Sequence, residues 1–356
     1  MSKNKIFVSI ASYRDALCHD TLAHLYKMAK HPERVYAGLC QQNKTGSDKD
    51  CIGDSFPFKT LRRNVRILRL NFKEARGPTY ARYLCSQLYD HEDYFMQIDS
   101  HCLFVQDWDE KAIQMIHLVE SQTPSKKVVL SHYPAEYQDY KANPPKDEKV
   151  THITQCFFND DGLLTFKGAQ FKTPGPLPRR NAFIAGGFIF ARGSFLTEVP
   201  FDPHLPFLFT GEELLLSTRS FTNGWDVYTP NMNIIYHAYI RKGEPKFWDD
   251  HRLDTEEVHL KVKILTGLTD TSPDKIKNKN VRESMALYGQ GSERTLESFY
   301  ELIGVDPKLK TVSKPTIEFY CACSDMQQQH WLLSVIWVLL IIFSILVSIV
   351  LFRLQK

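Results

Sequence analysis

The feature that most constrains this chain is an alternation of strand-like and helix-like segments that starts within its first ten residues. Residues 6–12 are short, β-branched and aromatic, and residues 16–30 carry Leu22, Leu25 and Met28 on one helical face. The rhythm continues with strands at 35–40, 65–70, 94–98 and 127–131 and helices at 78–89 and 108–119. In the second helix Pro78 stands where a first turn tolerates proline, and Ala81, Leu84, Cys85 and Leu88 form an apolar stripe. Repetition of this kind predicts an α/β fold, a mostly parallel sheet covered by helices. Ligands of such sheets bind at the carboxyl ends of the strands.

The middle of the chain is less regular. Residues 141–149 and 172–180 are proline-rich and charged and read as surface loops, with a hairpin expected at 151–167. A strand at 183–191 contains Gly186 and Gly187, a helix at 212–222 stops at Asn223-Gly224, and 227–240 reads as extended. Helices follow at 254–266 and 293–303. The expected organisation is one catalytic-sized domain over 1–310, a linker over 311–330 and an apolar segment over 331–352.

That last segment has no charged residue, and at 1.5 Å per residue it just crosses a hydrocarbon layer of about 30 Å. Trp331 and Trp337 near one end and Arg353 and Lys356 beyond the other fit interfacial anchoring. The first fifteen residues do not read as a signal peptide, because their apolar run is short and meets Arg14 and Asp15. The expectation is a single-pass, tail-anchored protein whose folded part faces the cytosol; Arg353 and Lys356 weigh weakly against it. The cysteines (Cys18, Cys40, Cys51, Cys85, Cys102, Cys156, Cys321 and Cys323) include no C-x-x-C pair, which speaks against structural zinc. They read as free buried thiols in keeping with a reducing cytosol, with Cys321 and Cys323 either idle or palmitoylated. Lys plus Arg number 44 and Asp plus Glu 41, and a net charge of +3 does not point to nucleic acid as a partner.

Four clusters carry chemistry. The apolar strand 94–98 ends in Asp99-Ser100-His101, and residues i and i+2 of an extended segment point the same way, so Asp99 and His101 are suited to hold one divalent cation. The plain alternative is a strand-ending Asp and a packed His. Gly186-Gly187 permits close approach to the backbone, and Glu212 and Glu213 follow Gly211 at the positive end of a helix. They are equally an acidic helix start without chemistry. His237 ends the apolar run 233–236 as a third ligand or a core histidine. Arg76 and Arg82 flank a helix N-terminus suited to anions, or form a solvated basic face.

In this order, over roughly residues 4–260, the sequence resembles the GT-A glycosyltransferases, and specifically the polypeptide GlcNAc-transferase family, which includes a cytoplasmic enzyme acting on hydroxyproline. The stretches that carry the resemblance are IFVSIASYRD (6–15), HPERVYAGLCQQN (31–43), RGPTYAR (76–82), QIDSH (97–101), AGGFIFARGSF (185–195), FTGEE (209–213) and NIIYHAY (233–239). The layout also looks like the polypeptide GalNAc-transferases, which share the Asp-Ser-His metal motif. The resemblance implies a GT-A fold with a Rossmann-like sheet, and a retaining transferase moving GlcNAc from UDP-GlcNAc, with Mn²⁺ or Mg²⁺, to a hydroxyl of a protein (Ser, Thr or hydroxyproline) or a glycan.

Carried over by position, the resemblance makes Asp99, His101 and His237 the metal ligands. Ser12, Tyr13, Arg14 and Asp15 lie near uridine, and Arg76, Arg82 and Ser100 near the nucleotide. Gly186 and Gly187 floor the sugar pocket, and Glu212 and Glu213 stand beside sugar and acceptor. Many GT-A enzymes place an acid after the second strand where this chain has Gln41-Gln42, a departure at the uracil contact. Competing expectations are a catalytically inactive, membrane-tethered UDP-sugar-binding scaffold, a transferase using another UDP-hexose, and a sugar-phosphate nucleotidyltransferase. The last lacks the Gly-rich, lysine-bearing phosphate loop it needs.

Overall fold

The computed structural model describes residues 4–54, 56–141, 149–171 and 175–313, all within one unit of the chain. The apolar segment 331–352 and the cysteines Cys321 and Cys323 lie outside the described residues. Among the described residues no helix is long and apolar enough to cross a membrane.

The first four strands are β1 (Ile6–Tyr13), β2 (Val35–Asn43), β3 (Val65–Asn71) and β4 (Tyr94–Asp99). They lie parallel in the order β3-β2-β1-β4. The helix Cys18–Met28 joins β1 to β2, and Pro78–Ser86 joins β3 to β4. The chain therefore builds outward from β1 in one direction and then returns to its other side. This reversal between β1 and β4 is the place where a doubly wound sheet opens a crevice at its carboxyl edge.

Strand parity divides the residues of β4 between two cores. Tyr94, Met96 and Ile98 pack with Leu22, Leu25, Trp108 and Ile116 on one face. Phe95 packs with Phe7, Phe195, Leu216 and Trp225 on the other. Gln97 and Asp99 share the parity of Phe95. Asp99 thus emerges at the carboxyl edge on the face covered by Pro78–Ser86 and Glu212–Thr222.

Three short strands follow: β5 (Cys102–Phe104), β6 (Val128–Ser131) and β7 (Ala135–Glu136). A hairpin of β8 (Val150–Phe158) and β9 (Leu164–Phe171) is longer than the sequence pattern predicts. Then come β10 (Arg179–Asn181), β11 (Phe188–Arg192), β12 (Asp226–Thr229) and β13 (Ile235–His237). The large sheet runs β10-β12-β6-β11-β4-β1-β2-β3. It is mixed but mostly parallel, as expected: six of its eight strands run one way, while β11 runs antiparallel to both β4 and β6, and β10 antiparallel to β12. β11 leaves the Gly186-Gly187 turn at the carboxyl edge of β4 and so runs back down the sheet.

Three expectations are corrected here. The glycine pair precedes β11 instead of lying within it. The stretch 227–240 is not one extended run: it breaks after Thr229 at Pro230, and β13 joins β5 and β7 in a separate three-stranded sheet. Cys18 and Cys51 are bonded, with their Cα atoms 5.1 Å apart, because the start of Cys18–Met28 meets the loop after β2. Cys40, Cys85, Cys102 and Cys156 are free and buried, as expected.

The helix Glu212–Thr222 matches its prediction, entering from Gly211 (φ 96°) and ending before Gly224 (φ 83°). Further on, Glu256–Leu265 and Leu296–Ile303 lead to a hairpin of β14 (Val305–Asp306) and β15 (Thr311–Val312). The folded part therefore includes residues 311 and 312, just past the expected boundary at 310.

Candidate active site

Asp99 is the hub. Its Oδ2 lies 3.0 Å from His237 Nε2, and its Oδ1 accepts from Arg82 Nη2 at 3.2 Å. Burial alone pushes its carboxyl up, but the His237 hydrogen bond and the Arg82 charge outweigh it and hold the group below the usual carboxylate range. His101 reaches this point by a different route from that of an extended strand. β4 ends at Asp99, and residues 100–101 form a bend that starts β5. β5 pairs with β13 so that Cys102 faces His237, which brings the two imidazoles within 4.6 Å between ring centres.

Asp15 holds His101 in place. Fully buried, it accepts from His101 Nδ1 at 2.7 Å, from Ser100 Oγ at 2.7 Å and from Arg241 Nη1 at 2.9 Å. Burial works to raise its carboxyl, and these bonds and charges hold it below the ordinary value instead. A carboxylate can only accept, so the proton sits on His101 Nδ1 and leaves Nε2 as a lone-pair donor. Burial keeps His101 below its ordinary pKa against the pull of Asp15, which favours the neutral ligand form.

On the other side of Asp99, the buried guanidinium of Arg82 bridges two acids, bonding Glu212 as well as Asp99. Glu213 is tied separately: Oε2 accepts from Tyr133 OH at 2.7 Å and Oε1 from Gly186 N–H at 2.9 Å. Burial raises both glutamates, opposed by the Arg82 charge at Glu212 and by the Tyr133 bond at Glu213. A Cβ on Gly186 would meet Arg82 Nη1 at 3.2 Å and one on Gly187 would meet Asp99 Oδ2 at 3.4 Å, so the glycine turn presents bare backbone here.

These groups line one cleft of about 610 Å³, within the range of small-molecule sites. Its walls include Tyr13, Asp15, Arg82, Asp99, Ser100, His101, Gly186, Gly187, Glu212, Glu213 and His237, with Phe209, Phe247 and Trp248 at the rim. Tyr13 donates its hydroxyl to Asp250 at 2.7 Å. A side cavity of about 80 Å³ is lined by Tyr13 and Gln42, whose Oε1 is buried without a partner.

Three predicted residues are not brought to the cleft wall. Ser12 has the opposite strand parity, and its Oγ lies 3.6 Å from Cys51 Sγ. Arg14 pairs with Asp48 and Asp250, and the exposed Arg76 lies over the Tyr80 ring. Sequence reasoning gave no role to Arg241, Tyr133 or Gln97. The sequence does place Arg241, with Trp248 and His251, in a loop expected to fold over the site, and Arg241 and Trp248 line the cleft. Tyr133 comes from the loop after β6, and only the tertiary contacts reveal it.

One oxygen from Asp99 and one nitrogen from each of His101 and His237 lie within 4.8 Å of one another. His237 Nδ1 is buried with no partner, and the set of one carboxylate and two imidazoles suits a first-row divalent ion. The residues therefore fit a metal centre.

A sequence profile of the family described as Glycosyltransferase (GlcNAc) matches residues 5–59 and 55–309, most of the chain. The chain belongs to this family. Among solved structures, GalNAc-T7 with UDP, GalNAc and Mn²⁺ is similar at 14% identity and TM-score 0.56, over 85% of this chain. That likeness supports a GT-A-type fold, and this chain spans only 57% of the GalNAc-T7 chain. Weaker likenesses are to S. aureus TarS 1–349 with UDP-GlcNAc (12% identity, TM-score 0.44, 79% of this chain and 73% of that one) and to the Pyrobaculum calidifontis mannosyltransferase PcManGT with GDP-Man and Mn²⁺ (12%, 0.43, 80% and 70%). Among curated proteins none matches.

Proposed function

We propose that this glycosyltransferase moves GlcNAc from UDP-GlcNAc to a hydroxyl of a protein (Ser, Thr or hydroxyproline) or a glycan, with Mn²⁺ or Mg²⁺ bound by Asp99, His101 and His237. The observation that carries the reading is the convergence of those three donors at the carboxyl edge of β4, beside the Gly186-Gly187 turn and the Glu212–Glu213 pair. The family description names GlcNAc, and the GalNAc-T7 structure holds UDP and Mn²⁺.

Asp99, His101 and His237 would hold the divalent cation, which when bound would supply charge neutralisation for the diphosphate and for UDP as leaving group. Uridine lies against Tyr13 and Gln42, and the hexose against Gly186 and Gly187. Arg82, bound to both Asp99 and Glu212, fixes the two carboxylates on which donor and acceptor are aligned. The bond from the sugar C1 to the UDP oxygen breaks with its electron pair going to UDP, and a new C1–O bond forms to the acceptor hydroxyl. Its proton goes to the departing phosphate oxygen on the same face of the sugar, with retention. Glu212 and Glu213 are already engaged by Arg82, Tyr133 and Gly186, which favours this front-face course over a covalent glycosyl-enzyme. A glycosyl adduct trapped on either glutamate would overturn it.

The donor is tested by UDP release from the full-length chain in detergent, supplied in turn with UDP-GlcNAc, UDP-GalNAc, UDP-glucose and UDP-galactose. The expected result is metal-dependent release greatest with UDP-GlcNAc. Greater release with another donor would reassign the sugar, and donor binding without release in the presence of acceptor proteins would favour an inactive scaffold.

We further propose that the uncharged segment 331–352 anchors the chain in a membrane, with the catalytic domain facing the cytosol. The Cys18–Cys51 bond weighs toward the oxidising side instead. Protease protection in intact membranes decides the matter: digestion of the domain supports the cytosolic orientation, and protection overturns it.

A further inference from the structure

The floor of the cleft is held by side chains from several elements. Ile184 N–H donates to Ser217 Oγ at 2.8 Å, Ala185 N–H to Ser131 Oγ at 2.8 Å and Gly186 N–H to Glu213 Oε1 at 2.9 Å. The Gly186 carbonyl accepts from Gln97 Nε2 at 2.6 Å. Gln97 is fully buried, two residues before Asp99 and on the same face of β4. Its Oε1 has no hydrogen-bond partner. Buried polar atoms are normally satisfied, so a half-used amide under an active site calls for an explanation.

We propose that Gln97 is a positioning residue that locks the plane of the Gly186–Gly187 peptide and so aims the Gly187 N–H into the cleft as a hydrogen-bond donor to the hexose of the nucleotide sugar. A trans peptide carries its N–H opposite its C=O. A carbonyl drawn inward to Gln97 therefore sends the Gly187 N–H toward the cleft that both glycines line. Glycine on both sides of this peptide leaves its plane free to flip. A flipped plane would present an acceptor where the sugar needs a donor, beside Asp99 Oδ2. The inference rests on the UDP-sugar reading above and deepens it by naming the backbone atom that meets the sugar and the side chain that sets it.

The test compares wild type, Gln97→Met and Gln97→Glu as full-length protein in detergent with Mn²⁺. Binding of UDP and of UDP-GlcNAc is measured by titration calorimetry, alongside melting temperature. Both variants are expected to bind UDP within twofold of wild type and UDP-GlcNAc about tenfold more weakly, the worth of one such hydrogen bond. Equal weakening for UDP and UDP-GlcNAc, or no weakening at all, would overturn the proposal. Should both variants fail to fold, the wild-type chain labelled with ¹⁵N-glycine, with diamagnetic Mg²⁺ in place of Mn²⁺, supplies the readout. The Gly187 amide resonance is expected to shift with UDP-GlcNAc beyond its position with UDP, and an unmoved resonance overturns the proposal. If wild type binds neither UDP nor UDP-GlcNAc, the donor reading itself fails and this inference falls with it.

Discussion

Asp15 Oδ2 and His101 Nδ1 lie 2.7 Å apart although 86 residues separate them, and this contact leaves the His101 Nε2 lone pair free. Asp15 fixes the tautomer and orientation of His101, and Arg241 pins Asp15 from the loop after β13. Removing such an outer partner weakens metal binding by about 10- to 100-fold. Asp15→Asn is therefore expected to lower Mn²⁺ affinity by that factor in a calorimetric titration. Unchanged affinity would mean that His101 does not bind the metal through Nε2.

Arg82 is the buried cation between Asp99 and Glu212. Taking away one partner of a buried ion pair typically costs about 3–5 kcal/mol, because the remaining charges stay buried and unpaired. Arg82→Met should lose roughly that much stability in urea unfolding, together with transferase activity. Arg82→Lys keeps the charge but cannot fork to both acids, and should fall between the two.

Stability should depend on mildly acidic pH through two buried histidines. Burial, with the charge of His152, pushes His132 down to about 3, and burial pushes His152 to about 4. An unfolded histidine titrates near about 6.5. Below that value the unfolded chain binds protons that the folded chain refuses, so stability is full above pH ~6.5. It falls as pH drops toward the folded values, by about 1.4 kcal/mol per pH unit for each histidine. Urea midpoints at pH 7.5, 6 and 5 measure the slope, and His132→Leu should remove about one proton from it. A variant with the wild-type slope would mean that His132 already takes up its proton in the folded chain.

The Cys18–Cys51 bond closes a loop between residues 33 apart in sequence, ahead of the site. Loop-closure entropy assigns it about 3–4 kcal/mol. Reductant should lower the unfolding free energy of wild type by that amount and leave Cys18→Ser unaffected. Identical behaviour of the two proteins would show that the bond contributes nothing in solution.

Where sequence and structure agree, the information was local. Strand ends at Asp99 and His237, the helix start at Glu212 and the glycine pair were legible because polarity changes abruptly there. The parity argument for His101 gave the right neighbour for the wrong reason, since a bend and the β5–β13 pairing deliver it. Arg241 was legible only as part of a loop folding over the site, and Tyr133 not at all, because their bonds to Asp15 and Glu213 span 226 and 80 residues. Strands of two or three residues, such as β5, β7 and β10, are too short for any period. The reversed direction of β11 and the pairing of Cys18 with Cys51 are likewise long-range facts.

The central claim is that Asp99, His101 and His237 hold a cation on which the nucleotide diphosphate binds. Titration of UDP into the full-length chain with Mn²⁺ and with EDTA, for wild type and Asp99→Ala, tests it most directly. The account predicts binding by wild type in Mn²⁺, and little in EDTA or by Asp99→Ala in either condition. Equal UDP binding in EDTA, or undiminished metal-dependent binding by Asp99→Ala, would contradict it.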